Sequence, residues 1–386
     1  MSSEAPLTLT TPLAAGATLG VFGGGQLGRM FCEAAAKLGF RTHVYSPDSG
    51  GPAAQVADLH TSADYHDFAE VDRFARSVQA VTLEFENVPV AAVEAAGRHT
   101  RVRPSGEVLF TVQDRLREKR FLAGAGVPVA PFASVRTAGE CYVAIDQIGV
   151  PAVLKTTKFG YDGKGQAKID AADKAVEAWD YLGRHACVLE GFVDFAREVS
   201  VIVARGADGG VSLCGPIEND HANHILDVSV LPASCSEESA AKAREIAKQV
   251  ATELDLVGVL CVEFFETQDG QMIVNEIAPR PHNSGHLTIE GCEASQFEQQ
   301  ARAMAGLPLA SMDNPRPVAM ANLLGDLWAD GEPKWEAAKA IPGVNLHLYG
   351  KGDARPGRKM GHLTAVADTV EAAREAVLAA RRALTD

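Results

Sequence analysis

The chain has no basic excess, no long apolar run and no paired-cysteine motif. Its 36 Lys and Arg residues are outnumbered by 50 Asp and Glu residues, and the formal charge of −14 argues against binding to nucleic acid or to an anionic membrane. No stretch approaches the roughly 20 apolar residues of a membrane span. The seven cysteines form no Cys-x-x-Cys pair and mostly have apolar neighbours, which favours reduced thiols in a cytoplasmic protein.

The N-terminal part of the chain indicates a tail followed by a parallel sheet. The opening MSSEAPLTLTTPLAAG lacks the basic and apolar regions of a secretory signal, and we expect residues 1–16 to be disordered. From ATLGVFG to PVAAVEAAG, strand-like and helix-like segments alternate, which predicts a βαβ series. A charged helical run, TVQDRLREKRFLAGAG, follows and places a first domain boundary near Thr111. With 386 residues, the chain has room for two or three domains.

A loop rich in glycine and lysine, KTTKFGYDGKGQ, lies between two strand-like segments. Its Asp-Gly turn chemistry predicts a mobile hairpin, preceded by Lys155 at the end of a core strand. Bare backbone N–H groups and ammonium groups at such a tip suit a polyphosphate. The alternative is an ordinary basic surface turn.

A second predicted hairpin places two carboxylates opposite each other. If Asp269 and Gly270 form a two-residue loop, Glu263 faces Glu276 on the same side of the sheet. Like charges in opposed positions are destabilising, so the pair favours a bound cation. Oxygen donors without His or Cys favour magnesium, with Asn275 as a neutral oxygen nearby. The alternative is a solvated acidic face that includes Glu266, and a β-bulge would spoil this register.

The first βα turn allows a different interpretation. Gly23, Gly25 and Gly28 have G-x-G-x-x-G spacing, which is compatible with dinucleotide binding with Asp48 as the ribose acid. We favour a packing role for these glycines, because the following strand ends in YSP before any acid and no hydride-transfer partner is evident.

Two polar loops complete the candidate site. In APRPHNSGH, prolines and a glycine predict a loop whose polar side chains could bind an anion beside the metal: Arg280, His282, Asn283 and His286. In YGKGDARPGRKMGH, a local positive patch forms on an acidic protein from Lys351, Arg355, Arg358 and Lys359. A solvated turn is the alternative for this second loop.

Taken in order, GGGQLGRM, KTTKFGYDGKGQ, LEGFVDFAREVSV, VNEIAPRPHNSGH and RPGRKMGH resemble the ATP-grasp ligases. Within them, the chain is similar to the 5-(carboxyamino)imidazole ribonucleotide synthetases of purine biosynthesis, from about Gly20 to His362. The resemblance implies a mixed α/β and α+β architecture and a homodimer. Its expected parts are a Rossmann-like preATP-grasp domain at 17–112, an ATP-grasp domain at 113–312 with a lid at about 130–192, and a small C-terminal domain at 313–386.

The resemblance also implies roles for individual residues. Those expected to bind ATP are Arg115, Lys155, Gly160, Tyr161, Asp162, Gly163, Lys164, Gly165, Gln166, Glu190, Gly191, Phe192, Val193, Glu198, His221, Asn275 and Glu276. Those expected to bind the aminoimidazole ribonucleotide are Gln26, Leu27, Glu84, Tyr161, Asp162, Lys351 and Arg358. Glu263 and Glu276 would hold Mg²⁺. Arg280, His282 and Asn283 would hold bicarbonate or carboxyphosphate and serve catalysis. His224 stands where the family usually has glycine, and Phe159 replaces a small or aliphatic residue.

The implied activity is ATP-dependent carboxylation of the exocyclic amine of 5-aminoimidazole ribonucleotide by bicarbonate. A loop from Lys158 to Gln166 would close to exclude water from short-lived carboxyphosphate. Other members of the superfamily, such as a formate-using glycinamide ribonucleotide transformylase or a biotin carboxylase, would share the hairpin and lid but differ at the acceptor site. A regulatory nucleotide-binding protein would keep the fold without turnover.

Overall fold

The computed structural model describes residues 11–158 and 164–385. Residues 1–10 of the predicted tail, and Gly160, Tyr161, Asp162 and Gly163 of the predicted nucleotide loop, lie outside the described residues. The strands are β1 (Thr18–Phe22), β2 (Arg41–Ser46), β3 (Leu59–Ser62), β4 (Ala80–Leu83), β5 (Arg101–Val102), β6 (Phe132–Val135), β7 (Ala152–Thr156), β8 (Gln166–Ile169), β9 (Cys187–Gly191), β10 (Phe195–Arg205), β11 (Val211–Ala222), β12 (Ile225–Leu231), β13 (Gly258–Thr267), β14 (Met272–Ala278), β15 (Val318–Leu324), β16 (Val344–Leu348) and β17 (Lys359–Val366).

The α-helices of the described part are α1 (Gln26–Lys37), α2 (Phe68–Arg76), α3 (Val90–Gly97), α4 (Gly106–Val112), α5 (Arg115–Gly124), α6 (Ala138–Ile148), α7 (Ala175–Tyr181), α8 (Glu237–Glu253), α9 (Thr288–Gly291), α10 (Gln296–Ala305), α11 (Trp335–Lys339) and α12 (Val370–Arg382). Short 3₁₀ helices occur at Ala172–Lys174, Asn283–Leu287 and Gly325–Trp328. Among the residues described, no helix is both long and apolar enough to cross a membrane.

The N-terminal sheet is parallel throughout, with strand order β3-β2-β1-β4-β5. Its central strand β1 is almost completely buried, as expected for a strand covered by helices on both faces. The predicted βαβ series is therefore confirmed. Leu13 contacts the folded part of the chain: its backbone N–H donates to the carbonyl of Ala305 at 2.9 Å, and its side chain lies on the apolar cluster shared by α1 and α10. The other residues between 11 and 16 are exposed. The disorder of residues 1–16 stays a prediction.

A four-stranded antiparallel sheet, with order β6-β9-β7-β8, forms a separate small unit. Helices α6 and α7 pack on it around their own buried cluster, which includes Trp179 and Leu154. This unit carries Lys155 at the end of β7 and Glu190 at the end of β9. It therefore presents its polar strand ends toward the rest of the chain.

The third sheet has eight strands in the order β14-β13-β10-β11-β12-β15-β17-β16. The C-terminal strands extend it, because β15 pairs with β12 through Val228 opposite Ala321. The largest apolar cluster joins this sheet to the N-terminal one, with Phe22 and Phe74 on one side and Val201 and Phe264 on the other. This shared core fixes the two sheets relative to each other, and the candidate site is lined by residues that belong to or directly follow strands of both sheets and by residues of the small unit.

The carboxylate hairpin differs in detail from its prediction. Near the turn, Glu266 pairs with Met272 and the N–H of Thr267 donates to Gln271 O at 3.0 Å, which leaves a three-residue loop ending in Gly270 at φ +81°. The predicted two-residue loop is therefore wrong. A register shift between Glu263 and Phe264 then adds one residue on β14, so that Glu263 does face Glu276.

Candidate active site

The paired carboxylates lie at the centre of the site, and each is bonded to a cationic or ionisable side chain. Glu276 Oε2 is 2.7 Å from Arg115 Nη1, and Glu263 Oε1 is 3.1 Å from His282 Nε2. Burial raises the pKa of Glu276, but the larger opposing effect of Arg115 and its neighbours lowers this pKa to about 2. Burial also disfavours the imidazolium of His282, but Cys261 and Glu263 raise its pKa to about 10. The pair is thus a compact anionic centre surrounded by positive charge.

A cavity of about 430 Å³ opens on one side of this centre. The predicted nucleotide-binding residues that line it are Arg115, Lys155, Lys164, Gln166, Glu190, Gly191, Phe192, Val193, Glu198, His221, Asn275 and Glu276. Gly165 does not line the cavity; its carbonyl accepts from Thr156 N–H at 2.8 Å. At one end the wall is aromatic, because Phe195 stacks on Phe265 with ring centroids 4.7 Å apart.

Lys119 is a residue of this cavity that the sequence reasoning missed. Asp114 caps α5 by accepting from the N–H groups of Leu116 and Arg117, and Lys119 follows Arg115 by four residues on the same helix face. Lys119 is only 2% exposed, yet its Nζ donates to Asn275 O at 2.8 Å and lies 3.1 Å from Glu190 Oε2. The i, i+4 spacing from Arg115 was the available signal.

Lys155 belongs to the same cluster of charges. Its Nζ lies 3.2 Å from Glu190 Oε2 and 3.3 Å from Asn275 Oδ1. Burial lowers the pKa of Lys155, whereas Lys119 and Lys155 together lower the pKa of Glu190 against the effect of burial. Two lysines thus share one carboxylate, and this excess of buried positive charge suits an anionic phosphate.

Glu198 and His221 form a pair on another wall of the cavity. Glu198 Oε2 lies 3.0 Å from His221 Nδ1. Burial opposes protonation of His221, but the hydrogen bond to Glu198 raises its pKa. His221 is the next-to-last residue of β11. The two-residue loop that connects β11 to β12 consists of Asn223 and His224, with φ of +51° and +64°. His224 therefore adopts the left-handed conformation that glycine favours, and its side chain lines the cavity.

A second cavity, of about 360 Å³, opens on the other side of the carboxylate pair. Its lining includes the predicted acceptor residues Gln26, Leu27 and Glu84 and the predicted catalytic residues Arg280, His282 and Asn283. The residues common to both cavities are Arg115, Glu263, Glu276, His282, Asn283 and Lys359. A group transferred from one cavity to the other would pass the carboxylates.

The glycine-rich turn before α1 binds a carboxylate of the chain itself. The N–H groups of Gly25 and Gly28 donate to the two oxygens of Glu84, each at 2.7 Å. A Cβ added at Gly23, Gly25 or Gly28 would lie within 2.6 Å of the Glu84 side chain. The Glu84 carboxylate thus occupies the position that the pyrophosphate of a dinucleotide would need, and the structure argues against dinucleotide binding at this turn. Burial raises the pKa of Glu84.

Arg280 is held by an acid that the sequence reasoning did not identify. Its Nε bonds to Glu86, its Nη2 donates to the other Glu86 oxygen at 3.1 Å, and its Nη1 donates to Pro281 O at 3.1 Å. Asn283 exchanges hydrogen bonds of 3.1 Å with Asn322 of β15. The loop after β14 is therefore anchored to both the N-terminal and the C-terminal parts of the chain.

Lys351 and Arg358 line neither of the two cavities formed by the described residues. Lys351 Nζ donates to Lys359 O at 2.6 Å, and Arg358 Nη1 donates to Asp353 O at 2.7 Å. Their loop nevertheless contacts the N-terminal domain, because Gln55 donates to Gly350 O at 2.8 Å. Burial and then Arg358 lower the pKa of Lys351 to about 8, while Glu84 opposes the shift. Lys351 is therefore within electrostatic range of Glu84, which lines the second cavity, although neither Lys351 nor Arg358 lines it.

The donors present fit magnesium and a nucleotide. Glu263, Glu276 and Asn275 offer the oxygen atoms that Mg²⁺ prefers, and the adjacent cations Arg115, Lys119 and Lys155 suit the phosphates.

Comparisons with known proteins agree with this geometry. Three family models match consecutive parts of the chain: a ribonucleotide synthetase preATP-grasp domain at residues 16–113, an ATP-grasp domain at 120–297 and a phosphoribosylaminoimidazole carboxylase C-terminal domain at 318–376. The fold and the site thus define an ATP-grasp ligase.

Relatives narrow this class. The N5-carboxyaminoimidazole ribonucleotide synthase of Bacillus subtilis is 42% identical over 349 residues, which cover 90% of this chain and 91% of that protein. A synthase structure from Aspergillus clavatus in complex with ADP and 5-aminoimidazole ribonucleotide is 32% identical with a TM-score of 0.87, and the match covers 96% of this chain and 98% of that one. The bifunctional purine synthesis protein purC/E of Dictyostelium discoideum is 42% identical, but the match spans only 38% of its length. The chain belongs to the N5-carboxyaminoimidazole ribonucleotide synthase family.

Proposed function

We propose that the protein uses ATP and bicarbonate to carboxylate the exocyclic amine of 5-aminoimidazole ribonucleotide, with ADP and phosphate as the other products. The observation that carries this proposal is the pair of cavities that meet at Glu263 and Glu276. One cavity has the aromatic and basic lining of a nucleotide site, and the other is polar and bordered by Glu84 and Arg280. Two substrates can therefore bind on opposite sides of one reaction centre.

In the first cavity, the aromatic end formed by Phe192, Phe195 and Phe265 suits the adenine ring. Glu198 suits the ribose hydroxyls, and the basic cluster of Arg115, Lys119 and Lys155 suits the phosphates. When bound at the carboxylate pair, magnesium supplies charge neutralisation on the transferring phosphoryl group.

The residues between the cavities then act on bicarbonate and the activated carboxyl group. We assign Arg280 to stabilise the anionic carboxyphosphate, with its guanidinium oriented by Glu86. Asn283 is held in place by Asn322, and its side chain lines both cavities. His282 lies within hydrogen-bond reach of Glu263 and is available to exchange a proton with the acceptor amine.

In the second cavity, we assign Gln26, Leu27 and Glu84 to the acceptor, with Lys351 and Arg358 toward its 5′-phosphate. Tyr161 and Asp162 retain their assignment to the acceptor, and Gly160 to Gln166 their assignment to the closing loop. The proposal includes a homodimer in the cytoplasm, in keeping with the family resemblance and with seven cysteines that are all free thiols.

The test is coupled ADP release with candidate acceptors. ADP formation should require bicarbonate and should rise strongly with 5-aminoimidazole ribonucleotide, because transfer needs an occupied acceptor site. Stimulation by glycinamide ribonucleotide with formate, without any response to aminoimidazole ribonucleotide, would instead indicate the transformylase reaction. Light scattering of the purified protein measures the oligomeric state, and a monomer at assay concentration would contradict the homodimer.

A further inference from the structure

Cys261 introduces a soft donor directly beside the hard oxygen donors of the reaction centre. It lies two residues before Glu263 on β13, so both side chains point to the same face of the sheet. One ligand atom each from Cys261, Glu263 and His282 lies within 4.8 Å of the other two. A thiol, an imidazole and a carboxylate form a donor set that magnesium does not favour and that zinc does.

The imidazole is oriented for such a site by a buried chain of polar groups. His282 Nδ1 lies 2.9 Å from Ser284 Oγ, which accepts from Ser200 Oγ at 2.8 Å. Ser200 in turn accepts from Asn219 Nδ2 at 3.0 Å. These contacts occupy Nδ1 and leave Nε2 directed at Glu263, 3.1 Å away. Nδ1 can also accept from the N–H of Ser284 at 3.4 Å. Zinc binding at Nε2 requires the tautomer in which Nδ1 donates to Ser284 Oγ, and an outer hydrogen bond of that kind is usual for metal-binding histidines.

The spacing of the donors requires little rearrangement. Ligands bound to zinc at about 2.0–2.3 Å in a tetrahedron lie about 3.3–3.6 Å from one another. The Glu263 to His282 separation of 3.1 Å is already close to this value, and because the three ligand atoms lie within 4.8 Å of one another, the thiol of Cys261 must approach by about 1.5 Å at most. Cys261 is fully buried, but Glu263 and His282 line both cavities, so a metal ion can enter from the substrate side.

We propose that Cys261, Glu263 and His282 form a binding site for a thiophilic divalent cation such as Zn²⁺, overlapping the magnesium site through their common use of Glu263. On binding, the thiol of Cys261 and the imidazolium of His282 each release one proton to solvent, and the fourth coordination position stays open toward the cavities. Occupancy removes Glu263 from the magnesium pair and His282 from proton exchange with the acceptor amine. Zinc therefore inhibits the enzyme in competition with magnesium, and this inhibitory arm rests on the proposed function.

Metal binding at this site can be tested without measuring turnover. The protein is treated with a chelator, kept free of magnesium and titrated with Co²⁺ as a spectroscopic probe. We expect one equivalent of Co²⁺ to produce thiolate-to-cobalt charge-transfer absorption, and one equivalent of Zn²⁺ to remove it. Cys261→Ala and the near-isosteric Cys261→Ser should lack this absorption and bind Zn²⁺ at least tenfold more weakly. Cys187→Ala, which removes a buried free thiol from the small sheet, is the matched control and should behave like the wild type.

The outcomes separate this proposal from the function itself. Absence of charge-transfer absorption in the wild type, or its persistence in both Cys261 variants, would overturn the site. If aminoimidazole ribonucleotide gives no turnover but Co²⁺ still binds through Cys261, the function fails and the site stands. In active enzyme, Zn²⁺ should inhibit the wild type at concentrations at least tenfold below those needed for Cys261→Ser, and extra Mg²⁺ should relieve the inhibition. Equal inhibition of both proteins would overturn the inhibitory arm.

Discussion

Glu263 and Glu276 face each other across β13 and β14, yet each is bonded to a different partner, His282 for the first and Arg115 for the second. The repulsion expected between opposed carboxylates is thus offset within the protein. If magnesium binds at this pair, as proposed, it would neutralise the carboxylates and leave His282 and Arg115 available for substrate anions.

Glu276→Gln should keep the fold and lower ADP formation by roughly a hundredfold or more, because the amide cannot supply the charge that holds magnesium on the phosphates. Steady-state ADP release at saturating Mg²⁺ is the measurement. Glu266→Gln is the matched control, since Glu266 lies on the same hairpin and is paired with Arg197 but lines neither cavity. Near-normal turnover by a folded Glu276→Gln protein would show that Glu276 is not a magnesium ligand.

Arg358→Ala should weaken the acceptor and leave the nucleotide unaffected. A charge-assisted hydrogen bond to a phosphate is worth about 1.5–3 kcal/mol, which corresponds to a rise of roughly tenfold or more in the KM for aminoimidazole ribonucleotide. The KM for ATP should change little. Arg355→Ala is the control, because Arg355 lies on the same loop and pairs with the same Asp353. Equal changes in the KM for aminoimidazole ribonucleotide in the two variants would indicate that the loop is a solvated surface turn.

The lowered pKa of Lys351, about 8, gives the acceptor site a pH dependence. Below this value the side chain is an ammonium that attracts the 5′-phosphate, and above it the charge is lost. We expect kcat/KM for aminoimidazole ribonucleotide to fall as the pH rises through about 8, since this ratio reports the free enzyme. Lys351→Arg, which remains charged, should move the fall to higher pH. An unchanged profile in that variant would assign the titration to another group.

His224→Gly should raise the thermal midpoint by roughly 1–3 °C. A non-glycine residue in the left-handed region costs about 1–2 kcal/mol, and part of this gain is offset by the greater freedom of glycine in the unfolded chain. Asn223→Gly is the matched control: Asn223 occupies the same turn at φ +51°, and asparagine tolerates that region, so a smaller gain is expected. A lower midpoint for His224→Gly would show that the imidazole makes a stabilising contact.

The sequence predicted the pairing of Glu263 with Glu276, but by a route that was only partly right. The assumed two-residue loop would put all cross-strand pairs in one register, whereas the actual loop is one residue longer. The extra residue at Asn275 restores the predicted register at the carboxylates and at the two pairs beyond them, Val262 with Ile277 and Cys261 with Ala278. Hydrophobic alternation reveals which face a strand buries, but a single-residue bulge leaves little trace in it.

Residues whose role depends on a distant partner could not be found from local patterns. Lys119 and Glu190 are far apart in the chain, as are Glu86 and Arg280, and only the packing of the sheets brings them together. Local sequence patterns were more informative where the residue type itself reflects a backbone requirement. The glycine-rich turn was identified correctly as a packing device, although its partner, Glu84, was visible only in the structure.

The continuity of the eight-stranded sheet sets a limit on how this protein can be divided. Removing the chain after residue 312 would strip β15 from β12 and leave an unpaired strand edge at the middle of a former sheet. Such an edge invites pairing with other molecules. Exchange of C-terminal segments between related ligases therefore requires a β15 strand that can pair with β12. The incoming segment must also supply a residue that can replace Asn322 as the hydrogen-bond partner of Asn283.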